Sequence, residues 1–188
     1  TSGEEQSCDV VRADYRGWNG ENTIRYFINV ADVGIGSETV YRVNRNSKAW
    51  GGFLSFLAAT IASILSFKNP TLTVEVDGQQ IYSGKSTLAV VNNGKWFGGG
   101  VMISPQAEIN DGYLDILVAE GLSARECLGL LPKAYRGKHL SHPRLHVARG
   151  KEVWIKSTQK LLLEIDGESP GIGDIHFQIL PGDLKLVI

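Results

Sequence analysis

The sequence predicts a mainly β protein, a sandwich-like β domain into which two helices are inserted. Three observations support this fold class: many short stretches are rich in β-branched and aromatic residues, glycine-containing turns separate several of them, and helix signals occur in two segments. The chain has 188 residues, of which 43% are hydrophobic. That length and composition suit one large domain with a substantial core.

Apolar and polar residues alternate most clearly in residues 71–77, TLTVEVD, where the period-two pattern stops at an Asp-Gly turn. Residues 80–83 follow as the expected return strand of that hairpin. Residues 39–43 are assigned to a strand because they are β-branched and aromatic. The full set of predicted strands is residues 24–33, 39–43, 71–77, 80–83, 86–92, 113–119, 152–158, 160–166, 175–180 and 184–188.

The most apolar stretch, FLSFLAATIASILSF, predicts a helix over residues 52–67 that Pro70 prevents from continuing. The stretch is shorter than the roughly 20 residues that cross a bilayer, so the helix is expected to pack between layers. A membrane-facing role is the alternative. A second helix is predicted to begin at Ser123, because Ser123 and Glu126 match a capping box. Pro132 is expected to end or kink this helix.

Charge and cysteine content exclude several classes of function. The formal net charge is -1 and no long basic run is present, so nucleic acid is not an expected partner. Cys8 and Cys127 are too few for a disulfide framework and lack zinc spacing, which favours a reducing cytosol. The beginning of the chain is polar and acidic and carries no secretory signal.

Two glycine-rich stretches resemble nucleotide-binding loops without meeting their requirements. Residues 34–36, Gly-Ile-Gly, lack the third glycine of a dinucleotide fingerprint and no helix is predicted after them, so a tight turn is expected. Residues 98–100 are three glycines without the Gly-Lys-Ser/Thr ending of a phosphate loop. Trp96 and Phe97 beside them either line a groove or pack within the loop.

Two places could hold a cation. In the stretch ISPQAEINDGYLDI, Asp111 begins an Asp-Gly turn, and its carboxylate with nearby carbonyls could bind a hard cation. A solvated Asp-Gly hairpin is the alternative at that position. The histidines His139, His142 and His146 lie close together, but Pro143 interrupts them and no Cys or Glu pattern accompanies them.

The stretch LLLEIDGES ends an apolar strand in two carboxylates around a glycine. Asp166, Gly167 and Glu168 form either an acidic turn or a strand end that delivers a carboxylate to a reaction centre. A carboxylate next to a substrate hydroxyl can take its proton as the hydroxyl attacks, which contributes roughly 10²- to 10⁴-fold to the rate. Gly167 frees the backbone, so Glu168 could leave the strand line and point into a cleft.

The ordered set of these stretches resembles the bacterial diacylglycerol-kinase-like lipid kinases, which are related to sphingosine and ceramide kinases and to NAD kinases. It consists of YFINVADVGIGSETV, the apolar helix, TLTVEVDG, VVNNGKWFGGGVMISPQAEINDGYLDI, the capped helix and LLLEIDGES. The resemblance extends over nearly the whole chain, from about residue 9 to residue 188. Its strongest parts are the run from the three glycines to Asp-Gly-x-Leu-Asp and the late Asp-Gly-Glu.

The resemblance implies a two-lobed enzyme of which residues 1–188 are the C-terminal, β-sandwich-like lobe. The N-terminal nucleotide-binding lobe of the family carries a Gly-Gly-Asp-Gly-Thr motif that is absent from this sequence. ATP and its magnesium would therefore be bound mainly by that missing lobe. The fragment alone is expected to be inactive.

The resemblance also implies roles for particular residues. Glu168 corresponds to the catalytic base that activates the lipid hydroxyl, and Asp166 to a turn-forming neighbour with a second polar contact. Asp111 corresponds to the side-chain ligand of a structural magnesium, to which Glu108 and Tyr113 would contribute backbone carbonyls.

The implied function is the acceptor-side lobe of an ATP-dependent lipid kinase that phosphorylates a hydroxyl of diacylglycerol or a sphingoid base. Its expected partners are the lipid substrate, the N-terminal lobe and, transiently, a membrane surface. A second copy of the chain, forming a homodimer, is a further candidate partner. The expected location is cytoplasmic or peripheral at the membrane. Two alternatives remain: a lobe of an NAD-kinase-like enzyme with a soluble acceptor, and a non-catalytic β-sandwich that binds a partner.

Overall fold

The computed structural model describes residues 5–45 and 52–187, and most of these residues lie in antiparallel β-strands. Their bounds are β1 (Glu5–Gly17), β2 (Asn22–Phe27), β3 (Val30–Gly34), β4 (Thr71–Val76), β5 (Gln79–Asn92), β6 (Trp96–Phe97), β7 (Val101–Met102), β8 (Leu114–Glu120), β9 (Leu145–Gly150), β10 (Glu152–Lys156), β11 (Leu162–Ile165) and β12 (Glu168–Val187). The helices are α1 (Ile35–Arg45), α2 (Gly52–Ser66) and α3 (Ala124–Ala134), with a short 3₁₀ turn at Gly98–Gly100. The mainly β fold class is confirmed.

One large sheet closes on itself. Its strands follow the order β10-β4-β5-β3-β11-β12-β1-β2, and a further pairing of β10 with β12 joins six of them into a ring. Strand β12 makes this possible because its 20 residues pair with β11 at the beginning, with β10 in the middle and with β1 along most of their length. The larger apolar core draws side chains from all six strands of the ring and therefore fills its inside.

The opposite face of β3, β5 and β8 carries a second, smaller core. Val90 and Leu117 point to this face, whereas their neighbours along each strand point into the ring. Helix α3 covers this face, and Ala134 from the helix joins the cluster. The residues discussed below as a candidate site lie on this helical side of the sheet.

The prediction that residues 39–43 form a strand, and that no helix follows Gly36, is wrong. These residues lie in α1, whose Ser37 amide donates to the buried Asp32 carboxylate at 2.7 Å. A carboxylate that accepts a first-turn amide stabilises a helix N-terminus, which offsets the modest helix propensity of β-branched residues. The described residues therefore contain three α-helices where two were predicted.

The two predicted helices are confirmed. Helix α2 ends at Ser66, one residue before the predicted end. In α3 the capping box is complete, because the Ser123 hydroxyl accepts from the Glu126 amide and the Glu126 carboxylate accepts from the Ser123 amide at 2.9 Å. Pro132 lies inside the last turn and α3 continues to Ala134. Among the described residues, no helix combines the length and hydropathy that a bilayer crossing requires.

Strands β1 and β9 and the two-residue strands β6 and β7 were not predicted, and several predicted strands are joined or divided. The predicted strands 175–180 and 184–188 both belong to β12, which ends at residue 187. The predicted strands 80–83 and 86–92 both belong to β5, whereas the predicted strand 24–33 is divided between β2 and β3. In β1 the buried Val11, Ala13 and Tyr15 alternate with the less buried Arg12, Asp14 and Arg16, which is the period-two pattern of a strand with one buried face.

Candidate functional site

The apolar run of LLLEIDGES ends in a two-residue hairpin turn between β11 and β12. Asp166 has φ 45° and Gly167 has φ 84°, and Ile165 pairs directly with Glu168 across the turn. Positive φ at both central positions is typical of the type I′ turn, which matches the twist of the two strands it joins. Because side chains alternate along β11, Leu163 and Ile165 face the core while Glu164 faces the helices.

Asp166 fastens this turn to the connection between β2 and β3. Its carboxylate accepts hydrogen bonds from the Ile28 amide at 3.2 Å and the Val30 amide at 2.9 Å. Its own amide donates to the Val30 carbonyl at 3.0 Å. The structure therefore agrees with Asp166 as a turn-forming residue whose carboxylate is already held by the backbone.

Glu168 lies at the first position of β12 with 65% of its side chain exposed. Its Oε2 accepts a hydrogen bond from Arg25 Nη2 at 2.5 Å. Exposed ion pairs of this kind contribute about 0–1 kcal/mol, so separating the two side chains requires little energy. Glu168 is therefore available to another partner, and its role as a base stays a prediction.

A cavity of about 450 Å³, termed the polar cavity for the carboxyl groups in its otherwise mostly apolar lining, opens beside the turn. Glu164, Asp166 and Gly167 form one wall, and Trp96 with Phe97 forms another. Glu168 is next to this cavity in sequence but does not line it. Trp96 and Phe97 thus line a groove, the first of the two alternatives that the sequence left open.

An apolar cavity of about 140 Å³ lies next to the polar one, between α2, α3 and the sheet. Side chains such as Ile64, Leu117 and Leu130 line it. Phe56 on α2 and Phe97 line both cavities, so the two aromatic rings separate them. Gly99, at φ 72°, allows the glycine loop to approach Phe56, since an added Cβ would lie 2.7 Å from the ring. The arrangement offers a polar and an apolar compartment side by side.

Two buried carboxyl groups, Asp32 on β3 and Glu164 on β11, escaped the sequence analysis. They are cross-strand register partners, and they are 0% and 2% exposed. Burial raises the pKa of Glu164 to about 7, and burial together with the charge of Glu164 raises the pKa of Asp32 well above its usual range. The sequence pattern that could have indicated this buried pair is a single acidic residue inside each of two apolar runs, LLLEI and VADVG.

The three predicted magnesium-binding residues lie in one loop before β8, but the carboxylate of Asp111 is already engaged. Its Oδ1 accepts from the Tyr113 amide at 3.0 Å, and its Oδ2 contacts Arg149 Nη2. Burial raises the pKa of nearby Asp115, whose Oδ1 lies 4.0 Å from Arg149 Nε. In this arrangement Arg149 contacts the Asp111 carboxylate, and the magnesium site stays a prediction.

Asp9 on β1 anchors this loop and was also missed. Its two carboxylate oxygens accept from the Gly112 and Gly182 amides, both at 2.7 Å, and its amide donates to the Ile109 carbonyl at 2.6 Å. The side chain is 2% exposed, so these bonds satisfy an otherwise isolated buried charge. Asp9 therefore connects β1 and β12 to the loop that carries Asp111.

The three clustered histidines do not converge. His139 is buried and its Nε2 lies 3.1 Å from the Ile103 carbonyl, whereas His146 lies 3.1 Å from Glu120. Burial lowers the pKa of His139, which favours its neutral form. Across residues 5–45 and 52–187, no three side chains of His, Cys, Asp or Glu are grouped closely enough to suggest a metal site.

A protein-family model described as the YegS C-terminal NAD kinase beta sandwich-like domain matches residues 29–188. A diacylglycerol kinase of Staphylococcus carnosus (strain TM300) is 27% identical over 152 residues, which cover 81% of this chain and 49% of that protein. A diacylglycerol kinase of Bacillus subtilis (strain 168) is 26% identical over 164 residues, which cover 87% of this chain and 52% of that protein. The chain thus spans about half the length of the curated relatives it matches.

Solved structures show the same fold. A crystal structure of a diacylglycerol kinase from Bacillus anthracis str. Sterne superposes with a TM-score of 0.63 at 19% identity, over 98% of this chain and 54% of that one. Another chain from the same strain superposes with a TM-score of 0.70 at 22% identity, over 98% of this chain and 56% of that one. At these identities the likeness concerns the fold.

Proposed function

Because the chain belongs to the family of YegS C-terminal NAD-kinase-like β-sandwich domains, we propose that it is the acceptor-side lobe of an ATP-dependent lipid kinase. The acceptor would be the hydroxyl of a lipid such as diacylglycerol or a sphingoid base. The curated relatives are named diacylglycerol kinases and are about twice as long as the matched region. An N-terminal lobe would therefore bind ATP, and the two lobes would act together.

The observation that carries this proposal is the pair of adjoining cavities. A lipid acceptor has a polar end that reacts and an apolar chain, and the polar and apolar compartments meet at Phe56 and Phe97. The apolar cavity of about 140 Å³ is similar in size to engineered apolar cavities of about 150 Å³ that bind benzene. It would accept a short length of acyl chain without rearrangement, and a longer one if α2 and α3 moved apart.

Glu168 would act as the general base. For that role, an acceptor hydroxyl must lie about 2.6–3.2 Å from one of its two carboxylate oxygens, of which Oε2 accepts from Arg25. The carboxylate would take the hydroxyl proton as the hydroxyl oxygen bonds to the γ-phosphorus of ATP and the bond from that phosphorus to ADP breaks. ATP with its magnesium, when bound, supplies the phosphoryl group and neutralises its charge. Asp166 would contribute by holding the turn, because both of its oxygens accept backbone amides.

The structural magnesium at Asp111, with backbone carbonyls of Glu108 and Tyr113, stays a prediction. Binding there would require Arg149 to leave the Asp111 carboxylate. In the arrangement described, the guanidinium already supplies the positive charge that a cation would bring to this loop. No step of the proposed reaction depends on a metal at Asp111.

Transfer of labelled phosphate from ATP by the full-length protein tests the function. We expect product with diacylglycerol or with a sphingoid base presented in mixed micelles, and none with NAD. Phosphorylation of NAD without phosphorylation of either lipid would show an NAD-kinase-like enzyme instead. Absence of transfer to all three acceptors, with ATP binding intact, would favour a non-catalytic binding module.

Helix α2 would bring the site to a membrane surface. Leu54, Ala58, Ile61 and Leu65 recur at helical spacing on one exposed face, and Leu54 and Leu65 are 59% and 68% exposed. Helices α1, α2 and α3, with the residues that follow α2 and α3 as far as 68 and 138, carry seven Lys and Arg residues against two Glu, whereas the whole chain has 19 against 20 acidic residues. An apolar stripe among basic residues fits an anionic lipid surface, where each basic residue contributes about 1 kcal/mol.

Co-sedimentation with vesicles tests this surface. We expect the full-length protein to bind phosphatidylcholine vesicles that contain phosphatidylglycerol, and the double variant Leu54→Glu/Leu65→Glu to lose about tenfold or more in affinity, since each charge would enter apolar surroundings. Val147→Glu is the matched control, because Val147 is 61% exposed and lies on β9 rather than on α2. Equal loss in the control, or no loss in the double variant, would reject α2 as the docking face.

A further inference from the structure

The buried pair Asp32 and Glu164 contains two oxygens that lack a donor. Asp32 Oδ2 and Glu164 Oε2 are both shielded from solvent and find no hydrogen-bond partner among the described residues. The two side chains project from directly paired positions of β3 and β11. Two carboxylates so close in a buried site cannot both be ionised without strong repulsion. A proton between the two orphaned oxygens would satisfy both.

The second oxygen of each carboxyl group accepts a backbone hydrogen bond, one from the hairpin turn and the other from helix α1. Glu164 Oε1 accepts from the Gly167 amide in the hairpin turn. Asp32 Oδ1 accepts from the Ser37 amide in the first turn of α1, at 2.7 Å. A proton between the two carboxyl groups would therefore complete a continuous chain of hydrogen bonds from the turn before Glu168 to the N-terminus of α1.

Helix α1 also holds the same turn at its other end. Asn44, in the last turn of α1, donates from Nδ2 to the Gly167 carbonyl at 3.1 Å. Gly36 gives the carboxyl pair its space, because an added Cβ would lie 2.7 Å from both oxygens of Asp32. The turn is thus fixed to α1 at two points, of which one depends on the carboxyl pair.

We infer that Asp32 and Glu164 share one proton and that this shared proton ties the Asp166–Gly167 turn to helix α1. Asp32 and Glu164 are then positioning residues for Glu168, because the conformation of the turn determines the direction in which the Glu168 side chain projects from β12. The shared proton itself does not depend on the proposed kinase function. The effect on Glu168 rests on that function.

The electrostatics of the pair agree with this geometry. Burial raises the pKa of both groups. For Glu164, hydrogen bonding to Asp32 and to the Gly167 amide lowers the pKa and the charge of Asp166 raises it, with a net pKa of about 7. On α1 the Ser37 amide lowers the pKa of Asp32, and Glu38 is already paired with Arg42 at 2.9 Å. On β5 the residue opposite Asp32 is the uncharged Val90.

The sign of the resulting pH dependence follows from linkage. Both folded pKa values lie above their unfolded values of 3.8 and 4.5. The folded state therefore binds more protons than the unfolded state, and stability from this pair is largest in acid and falls as pH rises through about 7. Above that pH the proposed shared proton is the one that remains on the pair.

Thermal unfolding as a function of pH tests the shared proton in the full-length protein. The variants are Glu164→Gln and Asp32→Asn, each of which keeps the shape and one hydrogen bond of the pair, and their double combination. We expect the wild-type Tm to fall as the pH is raised from 4.5 to about 7. This fall should be several degrees larger than the fall in the double variant, and each single variant should show an intermediate fall. Equal pH dependence in all four proteins would overturn the shared proton.

Infrared spectroscopy gives a second measurement that does not require activity. A protonated carboxylic acid band should persist above neutral pH in the wild type and be lost in Asp32→Asn. If Glu164→Gln and Asp32→Asn both retain the band unchanged, the proton belongs to another group and the inference fails.

The pH profile of kcat tests the positioning of Glu168. Ionised Glu164 accepts the Gly167 amide more strongly than neutral Glu164, so wild-type kcat should rise through about pH 7. Glu164→Gln should lose this rise and keep KM for ATP. A lowered Tm with an unchanged profile would show a purely structural pair. If the wild type phosphorylates no lipid, the kinase proposal fails while the thermal and infrared results still decide the shared proton.

Discussion

Replacement of Glu168 by glutamine is expected to lower kcat for the lipid acceptor by about 10²- to 10⁴-fold, because an amide cannot take the hydroxyl proton. The side chain keeps its size and remains exposed at the first position of β12. Its ion pair with Arg25 is at the surface, so the loss in stability should stay below about 1 kcal/mol. Steady-state kinetics of the purified full-length variant, together with its thermal unfolding, measure both quantities.

Glu5→Gln is the matched control for this experiment. Glu5 is also exposed and ion-paired, with Lys185 at 3.1 Å, but it lies at the start of β1. Loss of a surface ion pair alone should affect the two variants equally. Turnover of the Glu168 variant within about threefold of the wild type, in a folded protein, would remove Glu168 as the base and direct attention to Asp166, the carboxylate that lines the polar cavity.

Phe177→Ala is expected to destabilise the protein by about 3–5 kcal/mol, the usual range for removing a buried aromatic side chain. Phe177 is fully buried in β12, and its ring meets Phe27 edge to face with the centroids 6.1 Å apart. It lies opposite Ala13 on β1 and Val153 on β10, at the point where β12 closes the ring of strands. Its removal should therefore lower Tm by about 10 °C or more.

Chemical denaturation monitored by circular dichroism measures this change. Gln178→Ala is the control, because Gln178 is the next residue of β12 and points outward. Its effect should stay within about 0.5 kcal/mol. A loss below about 1 kcal/mol for Phe177→Ala would mean that the closed ring does not depend on this side chain, which would contradict the core described above.

Within the candidate site, the Asp166–Gly167 turn is the feature that local sequence indicated. The turn at Asp166 and Gly167 was expected from an Asp-Gly pair after an apolar strand, and both residues adopt the positive φ that such a turn requires. The family and the mainly β class are confirmed by the match over residues 29–188. The roles of Glu168, Glu108, Asp111 and Tyr113 stay predictions, since the geometry alone does not show chemistry or metal binding.

Local sequence determined the features whose cause lies within a few residues. The hairpin at Asp77 and the capping box at Ser123 follow from turn geometry and side-chain hydrogen bonds between near neighbours. The same holds for the apolar helix α2, whose ends are marked by a glycine and by Pro70. Because the interactions that favour such features lie within a few residues of each other, their patterns can be recognised in the sequence itself.

Tertiary structure alone decided the features whose partners are distant in the chain. Residues 39–43 are helical because Asp32 caps α1, and Asp32 is buried beside Glu164 from a strand more than a hundred residues later. Strand β1 exists because β12 pairs with it, and Asp9 is satisfied by an amide 173 residues away. Burial of the core fixes these pairings, and a buried polar group must then find whichever partner the fold brings to it.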